Sequence, residues 1–306
     1  HNLSYLFLNR KNTPLEKLLW RIVSDGSERF DTHFDLAVSY IEGGSAYYVH
    51  DHVSAAKKAA FVHVDYVQAG YTRRLDKDCY VDFDRIFAVS DETAGVFAGV
   101  YPECQQKLSV FHNLIDTETI RQKALLPAEK AMHEGIRLLT VGRLTPQKGF
   151  DCAVYALKLL LEKQYPVYWY IIGEGPEYGR LTQLARSLHV EDHFIFLGMQ
   201  TNPYPYFKMT DFYIHATRFE GKSIAIQEAQ VLGCAIAASD CSGNREQIVS
   251  GVDGLLCPFS PEGIANAVEY LIEHPQTAES FGRAAAQKAC HFENDIHMIR
   301  DLLYSP

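Results

Sequence analysis

Two glutamates, Glu220 and Glu228, stand eight positions apart in the segment RFEGKSIAIQEAQVLG (218–233), where a loop runs into an amphipathic stretch. Glu220 and Gly221 fall on the loop, Lys222 and Ser223 at the expected helix start, and Glu228 about a turn and a half further on. A helix rises about 1.5 Å per residue, which sets Glu228 roughly 8 Å beyond the helix tip. Its side chain leans back toward that tip. The tip offers unpaired N–H groups and partial positive charge, a setting suited to a diphosphate. Glu228 can accept from two vicinal hydroxyls such as those of a ribose. Glu220 is placed for a hydroxyl on the other side of the diphosphate. A nucleotide-sugar has its parts in this order.

A second cluster precedes this one. Arg143 and Lys148 lie in the loop after the apolar run Leu138–Val141, among Gly142, Pro146 and Gly149. Two cations beside glycines at the end of a strand can neutralise a diphosphate leaving group as its charge grows, and preorganised electrostatics of this kind often contributes most to catalysis. Arg binds phosphate bidentately, whereas Lys acts as a point charge.

These residues need strands that end in loops. Short apolar runs alternate with helical stretches along the whole chain, the pattern of parallel sheets covered on both faces. Strands are expected at 36–40, 60–63, 85–90 and 108–112, and again at 136–141, 167–172, 194–197, 211–215, 235–238 and 254–257. Helices are expected near 45–57, 91–100, 117–126, 150–163, 177–188, 222–232, 261–273, 277–290 and 294–304. An Ala/Glu/Lys-rich stretch with one Pro (126–135) reads as a linker. It separates residues 1–127, joined by a returning helix at 291–306, from a second domain at 136–290. Upstream, an apolar run (Tyr5–Leu8) and a helix around Pro14–Val23 open the chain.

Composition narrows the partners. With 306 residues, 47% apolar and 22% charged, the chain suits two globular domains. The net charge of −9 and the lack of a long basic run argue against nucleic acid. Residues 1–127 carry 14 basic and 17 acidic side chains, a balance of −3 that lends no support to a basic membrane-facing surface but leaves room for a local patch. Seven scattered cysteines without a C-x-x-C motif suit reduced thiols in a cytoplasmic setting, not a zinc site or disulfide framework. The Asp76–Asp78 and Asp82–Asp84 pairs imitate a metal-binding D-x-D, but such a motif must follow a strand and the second pair precedes one. His50-Asp51-His52 lacks a third ligand at sensible spacing and reads as a solvated turn.

The segment at 218–233 resembles the E-x7-E signature of retaining GT-B glycosyltransferases of family 4. VGRLTPQKGFD (141–151), IIGEGPEYGRL (171–181), FIFLG (194–198), SGNREQI (242–248) and GVDGLLCP (251–258) follow that family's order. The resemblance implies two Rossmann-like α/β domains facing across a cleft, the donor on the second and the acceptor largely on the first. Such a first domain opens with a strand and a Gly-rich loop, and their absence here reads as a truncated first domain.

The resemblance implies transfer of a hexosyl unit, with retained configuration and no metal or other cofactor. The donor is a nucleotide diphosphate-sugar, with UDP favoured and GDP left open. The acceptor is a hydroxyl of a glycan or lipid-linked saccharide, and a peripheral position at the inner membrane face stays open. By resemblance, Arg143, Lys148, Glu220 and His63 act at the reacting centre. Gly142, Gly173, Gly175, Met199, Gly221, Lys222, Ser223, Ile224 and Glu228 bind the donor, and Asp65 is an acceptor-site candidate. Lys222-Ser223 stands where relatives often have Phe-Gly. Gly173 and Gly175 could equally serve close packing, and Glu246 a helix cap. SYIEGG (39–44) and VHVDY (62–66) are similar to segments of enzymes that build capsular, exopolysaccharide or cell-wall glycans. A GT-B epimerase and a non-catalytic nucleotide-sugar-binding remnant remain as alternatives. A phosphorylase would require a pyridoxal-phosphate lysine motif, which is absent.

Overall fold

The computed structural model describes Trp20, residues 24–289 and residues 295–304. The expected run Tyr5–Leu8 and all but Trp20 of the helix around Pro14–Val23 lie outside these residues. The chain divides into two compact units, residues 1–114 with 293–306, and residues 115–292.

The first unit holds a parallel sheet of four strands in the order β1 (His33–Ser39), β2 (Ser54–Val62), β3 (Arg85–Ala88) and β4 (Leu108–Val110). β2 begins earlier than expected. Its first residues, SAAKKA, have the composition of a helix, and the expected helix at 45–57 stops at His52. Pairing decides the outcome: Ser54 to Ala60 register against His33 to Ser39, so tertiary contact overrides local propensity. The lysines of this stretch find carbonyls, Lys57 Nζ donating to Leu302 O at 2.9 Å and Lys58 Nζ to His50 O at 3.0 Å.

The helix Ile296–Tyr304 belongs to this unit, where Leu302 is buried with Phe61, Phe87 and Phe111 on one face of the sheet. On the other face Asp76 is buried and accepts from the hydroxyls of Tyr47, Tyr66 and Tyr101.

The second unit holds six parallel strands in the order β10 (Leu255–Cys257), β9 (Ala235–Ser239), β8 (Phe212–His215), β5 (Ile136–Val141), β6 (Val167–Ile172) and β7 (Phe194–Gly198). Counted within the unit this is 6-5-4-1-2-3, the doubly wound Rossmann order, which reverses direction between β5 and β8. Alternate residues face opposite layers. Leu138, Trp169 and Ile214 pack under the helices Phe150–Glu162 and Pro261–Glu273, while Leu139, Tyr170 and Ile236 pack under Tyr204–Met209 and Ile224–Val231. VYWYII, buried almost throughout, is the continuous apolar run that a strand covered on both faces requires.

Thr117–Lys123, expected in the first domain, falls in the second unit, where Ile120 packs on Val231 and Ala289. The boundary therefore lies at Leu114, ahead of the expected linker. Three short helices, Arg73–Asp76, Tyr204–Met209 and Ser242–Arg245, lie outside the expected set.

The aromatic cluster that holds the returning helix gives a direct test. Leu302→Ala should destabilise the first unit by about 2–4 kcal/mol, the usual result of emptying a buried leucine site. Urea denaturation of the full chain measures this. A change below about 0.5 kcal/mol would mean that the helix contributes no core to the unit.

Candidate active site

The doubly wound order puts the loops after β5 and β8 at the switch point, the place where ligands bind in open α/β sheets. Lys148 comes from the first loop and Glu220 from the second. Their side chains form a largely buried ion pair. The two loops are tied together through Gln147, whose carbonyl accepts from Arg218 N–H at 2.8 Å and from Thr217 Oγ1 at 3.1 Å. Its side-chain amide donates to Phe219 O at 3.0 Å. Gly149 makes this approach possible: its φ is +64°, and a Cβ there would lie 2.1 Å from Ala216 O.

Burial alone would raise the pKa of Glu220. A hydrogen bond from His215 and the charge of Lys148 more than reverse that effect, and hold the carboxyl at about 2 against an ordinary 4.5. His215 is buried, its Nε2 lying 3.4 Å from Glu220 Oε2, and burial lowers its pKa so that the ring stays neutral.

The helix Ile224–Val231 starts where expected. Ser223 is its N-cap, and Gln247 holds that residue from both sides, accepting from Ser223 N–H at 2.9 Å and donating to Ser223 O at 3.0 Å. Gly243 is fixed by the same neighbourhood. A Cβ on it would lie 2.2 Å from Gly221 O and 2.5 Å from Glu220 O, so only glycine lets the helix Ser242–Arg245 pack under the Glu220–Gly221 loop. Ile224 is exposed and Gly221 is buried. On the same helix, Glu228 accepts from Tyr204 Oη at 3.0 Å. Burial raises its pKa and the Tyr204 hydrogen bond only partly offsets this.

Arg143 is exposed and makes no ion pair among the described residues. Gly142 sits beside the aliphatic part of Lys148. Gly173 and Gly175 are closely packed against the preceding loop. A Cβ on Gly173 would lie 2.1 Å from Gly142 O, and one on Gly175 would lie 2.4 Å from Leu144 O. The GEGP turn therefore presses on the loop that carries Arg143. That turn and the end of β7 line an open cavity of about 510 Å³ with Tyr178 and Phe196. Met199, just beyond β7, is 72% exposed.

In the first unit, His63 follows β2 and is half-buried against Tyr40 and Phe61, with ring centroids 5.0 and 5.8 Å away. Burial lowers its pKa, opposed by the charge of Glu42. Its Nδ1 is buried without a hydrogen-bond partner, 3.9 Å from Glu42 Oε2, which accepts instead from the His63 N–H.

Asp65 is not free for an acceptor. Its Oδ1 accepts from the N–H groups of Val67 and Gln68 at 3.1 and 2.9 Å, and its Oδ2 from Gln68 Nε2 at 2.8 Å. This is the turn-forming use of aspartate. Among the described residues no group of three or more His, Cys, Asp or Glu is placed to hold a metal ion, and no helix is long and apolar enough to cross a membrane.

Residue-by-residue reading of the sequence missed His215, Gln147, Gln247 and Glu42. His215 had a visible signal, a polar residue ending the apolar strand FYIH. The glutamines had none, since their roles arise from backbone groups brought near by folding.

The depressed carboxyl of Glu220 sets a stability window. Its folded pKa lies below the unfolded value of about 4.3, so its ionised form favours folding above that value. The contribution, at most roughly 3 kcal/mol, is lost as the pH falls from about 4.5 towards 2. Urea midpoints of the native protein and Glu220→Gln should differ most above pH 5 and converge towards pH 3. A gap of equal size at pH 6 and pH 3 would show that Lys148 and His215 do not hold the carboxylate ionised.

Several known proteins are similar to this chain. A 4-α-N-acetylgalactosaminyltransferase of Campylobacter jejuni, acting on a diphospho-undecaprenol saccharide, is 30% identical over 200 residues, 65% of this chain and 53% of the relative. N-acetyl-α-D-glucosaminyl L-malate synthase of Bacillus anthracis is 28% identical over 118 residues, 38% of this chain and 31% of the relative. The chain spans about half the length of the first of these relatives. Among solved structures, HepE of Anabaena in complex with UDP superposes with a TM-score of 0.71 at 17% identity, covering 96% of this chain and 83% of that one. A glycosyltransferase of Rickettsia africae gives 0.72 at 18% identity, covering 97% and 84%. These likenesses show the fold, the two parallel-sheet Rossmann-like units of the GT-B class. Residues 118–288 match the glycosyl transferases group 1 family over more than half of the chain, and the protein belongs to that family.

Proposed function

We propose that this protein transfers a hexosyl unit from a nucleotide diphosphate-sugar, most readily a UDP-sugar, to a hydroxyl of a glycan or lipid-linked saccharide. Transfer keeps the anomeric configuration and needs no metal. The observation that carries this reading is the buried Lys148–Glu220 pair at the switch point of the second sheet, beside the capped helix that bears Glu228.

Each residue has a part. Glu228 holds the ribose hydroxyls, and the N–H groups at Gly221 and Lys222 meet the phosphates, the expected Ser223 N–H being taken up by Gln247 Oε1. Arg143, exposed and without an ion pair among the described residues, and Lys148 neutralise the departing diphosphate. Glu220 holds the transferred sugar by a hydroxyl. His63 suits a sugar hydroxyl, because its buried Nδ1 lacks a partner. Leaving such an atom unpaired costs about 1–3 kcal/mol, which a bound hydroxyl would recover. A phosphate oxygen of the donor takes the acceptor's proton, so no side chain is required as nucleophile. The names of relatives agree: the Campylobacter enzyme is named for an α-linked product and a lipid diphosphate acceptor, and Anabaena HepE was solved with UDP-glucose.

Calorimetric titration with UDP and with GDP in EDTA tests the donor site. Binding of UDP with a dissociation constant in the micromolar range is expected. Glu228→Ala should weaken it by about 1–3 kcal/mol, or roughly 5- to 150-fold, through loss of charged hydrogen bonds. Because burial raises the Glu228 pKa, UDP affinity should also decline as the pH drops toward that raised value, and Glu228→Gln should flatten the dependence. Failure of the native protein to bind either nucleotide would overturn the donor assignment. A product of inverted configuration, read by NMR, would overturn retention.

A further inference from the structure

β8 ends on a histidine in the middle of a six-stranded sheet. Phe212, Tyr213 and Ile214 are what a central parallel strand needs, but His215, 1% exposed, buries two ring nitrogens that must each find a partner. Both do. Nδ1 lies 3.2 Å from Tyr213 Oη, and Nε2 lies 3.4 Å from Glu220 Oε2.

The direction of these bonds follows from the chemistry. Tyr213 is buried, and burial, with the nearby charge of Glu228, pushes its pKa far above the ordinary value, so the hydroxyl keeps its proton. A hydroxyl can donate or accept, but the Glu220 carboxylate can only accept, so Nε2 carries the proton of the neutral ring and Nδ1 accepts from the Tyr213 hydroxyl. The ring proton therefore points to Glu220. Lys148 reaches the same oxygen, Oε2, and among the described residues no donor reaches Oε1. The titratable groups around the carboxylate are Lys148 from the loop after β5, Tyr213 and His215 from β8, Glu228 from its helix and Cys241 from the turn after β9.

We propose that His215 is a positioning residue: oriented by Tyr213, it commits Glu220 Oε2 to the protein and leaves Oε1 to accept from a hydroxyl of the transferred sugar. This role rests on the reading of Glu220 as the sugar-binding carboxylate. A neutral donor suits the task, since a second cation would cancel the negative charge that the sugar hydroxyl is to meet. The tautomer matters as much as the residue, because an Nδ1–H ring would turn a lone pair toward the carboxylate.

The test uses the full chain with UDP, UDP-glucose and UDP-N-acetylglucosamine, and it follows both donor hydrolysis and transfer. In His215→Leu, UDP affinity should stay within about two-fold of the native value, because the nucleoside is held elsewhere. Its kcat should fall by roughly 10- to 100-fold, the scale of a misplaced binding group. The acid limb of the kcat profile should move up by about one pH unit or more as Glu220 loses a hydrogen bond to its charged form. His215→Gln, whose amide can reach the same oxygen, should recover most of the loss.

Tyr213→Phe frees the tautomer and should lower kcat several-fold at unchanged UDP affinity; it decides the matter if His215→Leu does not fold. Independently of activity, ¹⁵N NMR should show His215 as the neutral Nε2–H form from pH 5.5 to 8.5. Native kcat and pH profile in a folded His215→Leu, or in Tyr213→Phe where that variant decides, would overturn the role, as would an Nδ1–H or cationic ring. If the native protein binds UDP and turns over donor while His215→Leu behaves identically, only this inference fails. If the native protein binds no nucleotide, the donor reading fails and this role fails with it.

Discussion

The second unit is organised around one costly interaction, the ion pair between Lys148 and Glu220. Burying two charges costs several kcal/mol per ion before their attraction is counted. A surface pair could drift, whereas this one must be held where its attraction is largest. Most of the polar detail around the switch point serves that end. Gln147 ties the two loops by their backbones, Gly149 and Gly243 allow backbone contacts that any Cβ would block, and Gln247 fixes the residue from which the next helix starts. Replacing the pair with apolar residues would remove the desolvation cost. That cost is met at the switch point of the sheet, the position to which the proposed donor site is assigned.

The two glutamates eight residues apart are driven in opposite directions by their surroundings. Glu220 keeps its charge because a cation and a hydrogen-bond donor outweigh its desolvation, while Glu228 has one tyrosine hydroxyl and its pKa rises. Titratable groups pushed apart in this way usually have different tasks. A carboxylate held ionised well below the ordinary range is a fixed negative feature of the loop at neutral pH. One with a raised pKa has little holding its charge in the free protein, so hydroxyl donors from a ligand would have much to add.

The sequence made most of this fold readable, and the failures have particular causes. The ten strands among the described residues were anticipated because their apolar runs are short and bounded by turns. β2 was misjudged at its start because Ala and Lys favour a helix when isolated, and only its pairing with β1 makes SAAKKA a strand. The helix Thr117–Lys123 was given to the wrong unit, since its sequence shows an apolar face but not which partner covers it. In the candidate site, type and spacing pick out Arg143, Lys148, Glu220 and Glu228, and folding brings Lys148 against Glu220. Residues whose use depends on where folded backbone lies, such as Gln147 and Gln247, carry no such signal, and the turn bonds of Asp65 are equally invisible to type and spacing. A carboxylate after a strand reads as a ligand, yet this one closes its own turn.

Two buried acids show how the same observation can carry opposite meanings. Asp76 in the first unit is as deeply buried as any acid among the described residues and receives three tyrosine hydroxyls, one on Oδ1 and two on Oδ2. Both of its oxygens are satisfied by the protein, so it has nothing left for a ligand and works as an internal brace for the aromatic cluster around it. Glu220 is buried to a similar degree, but both of its donors converge on Oε2 and its other oxygen receives none among the described residues. An acceptor with spare capacity in the loop beyond a central strand keeps room for a further donor. That asymmetry, more than burial or a shifted pKa, separates the acid that holds the fold together from the one that the fold holds in place.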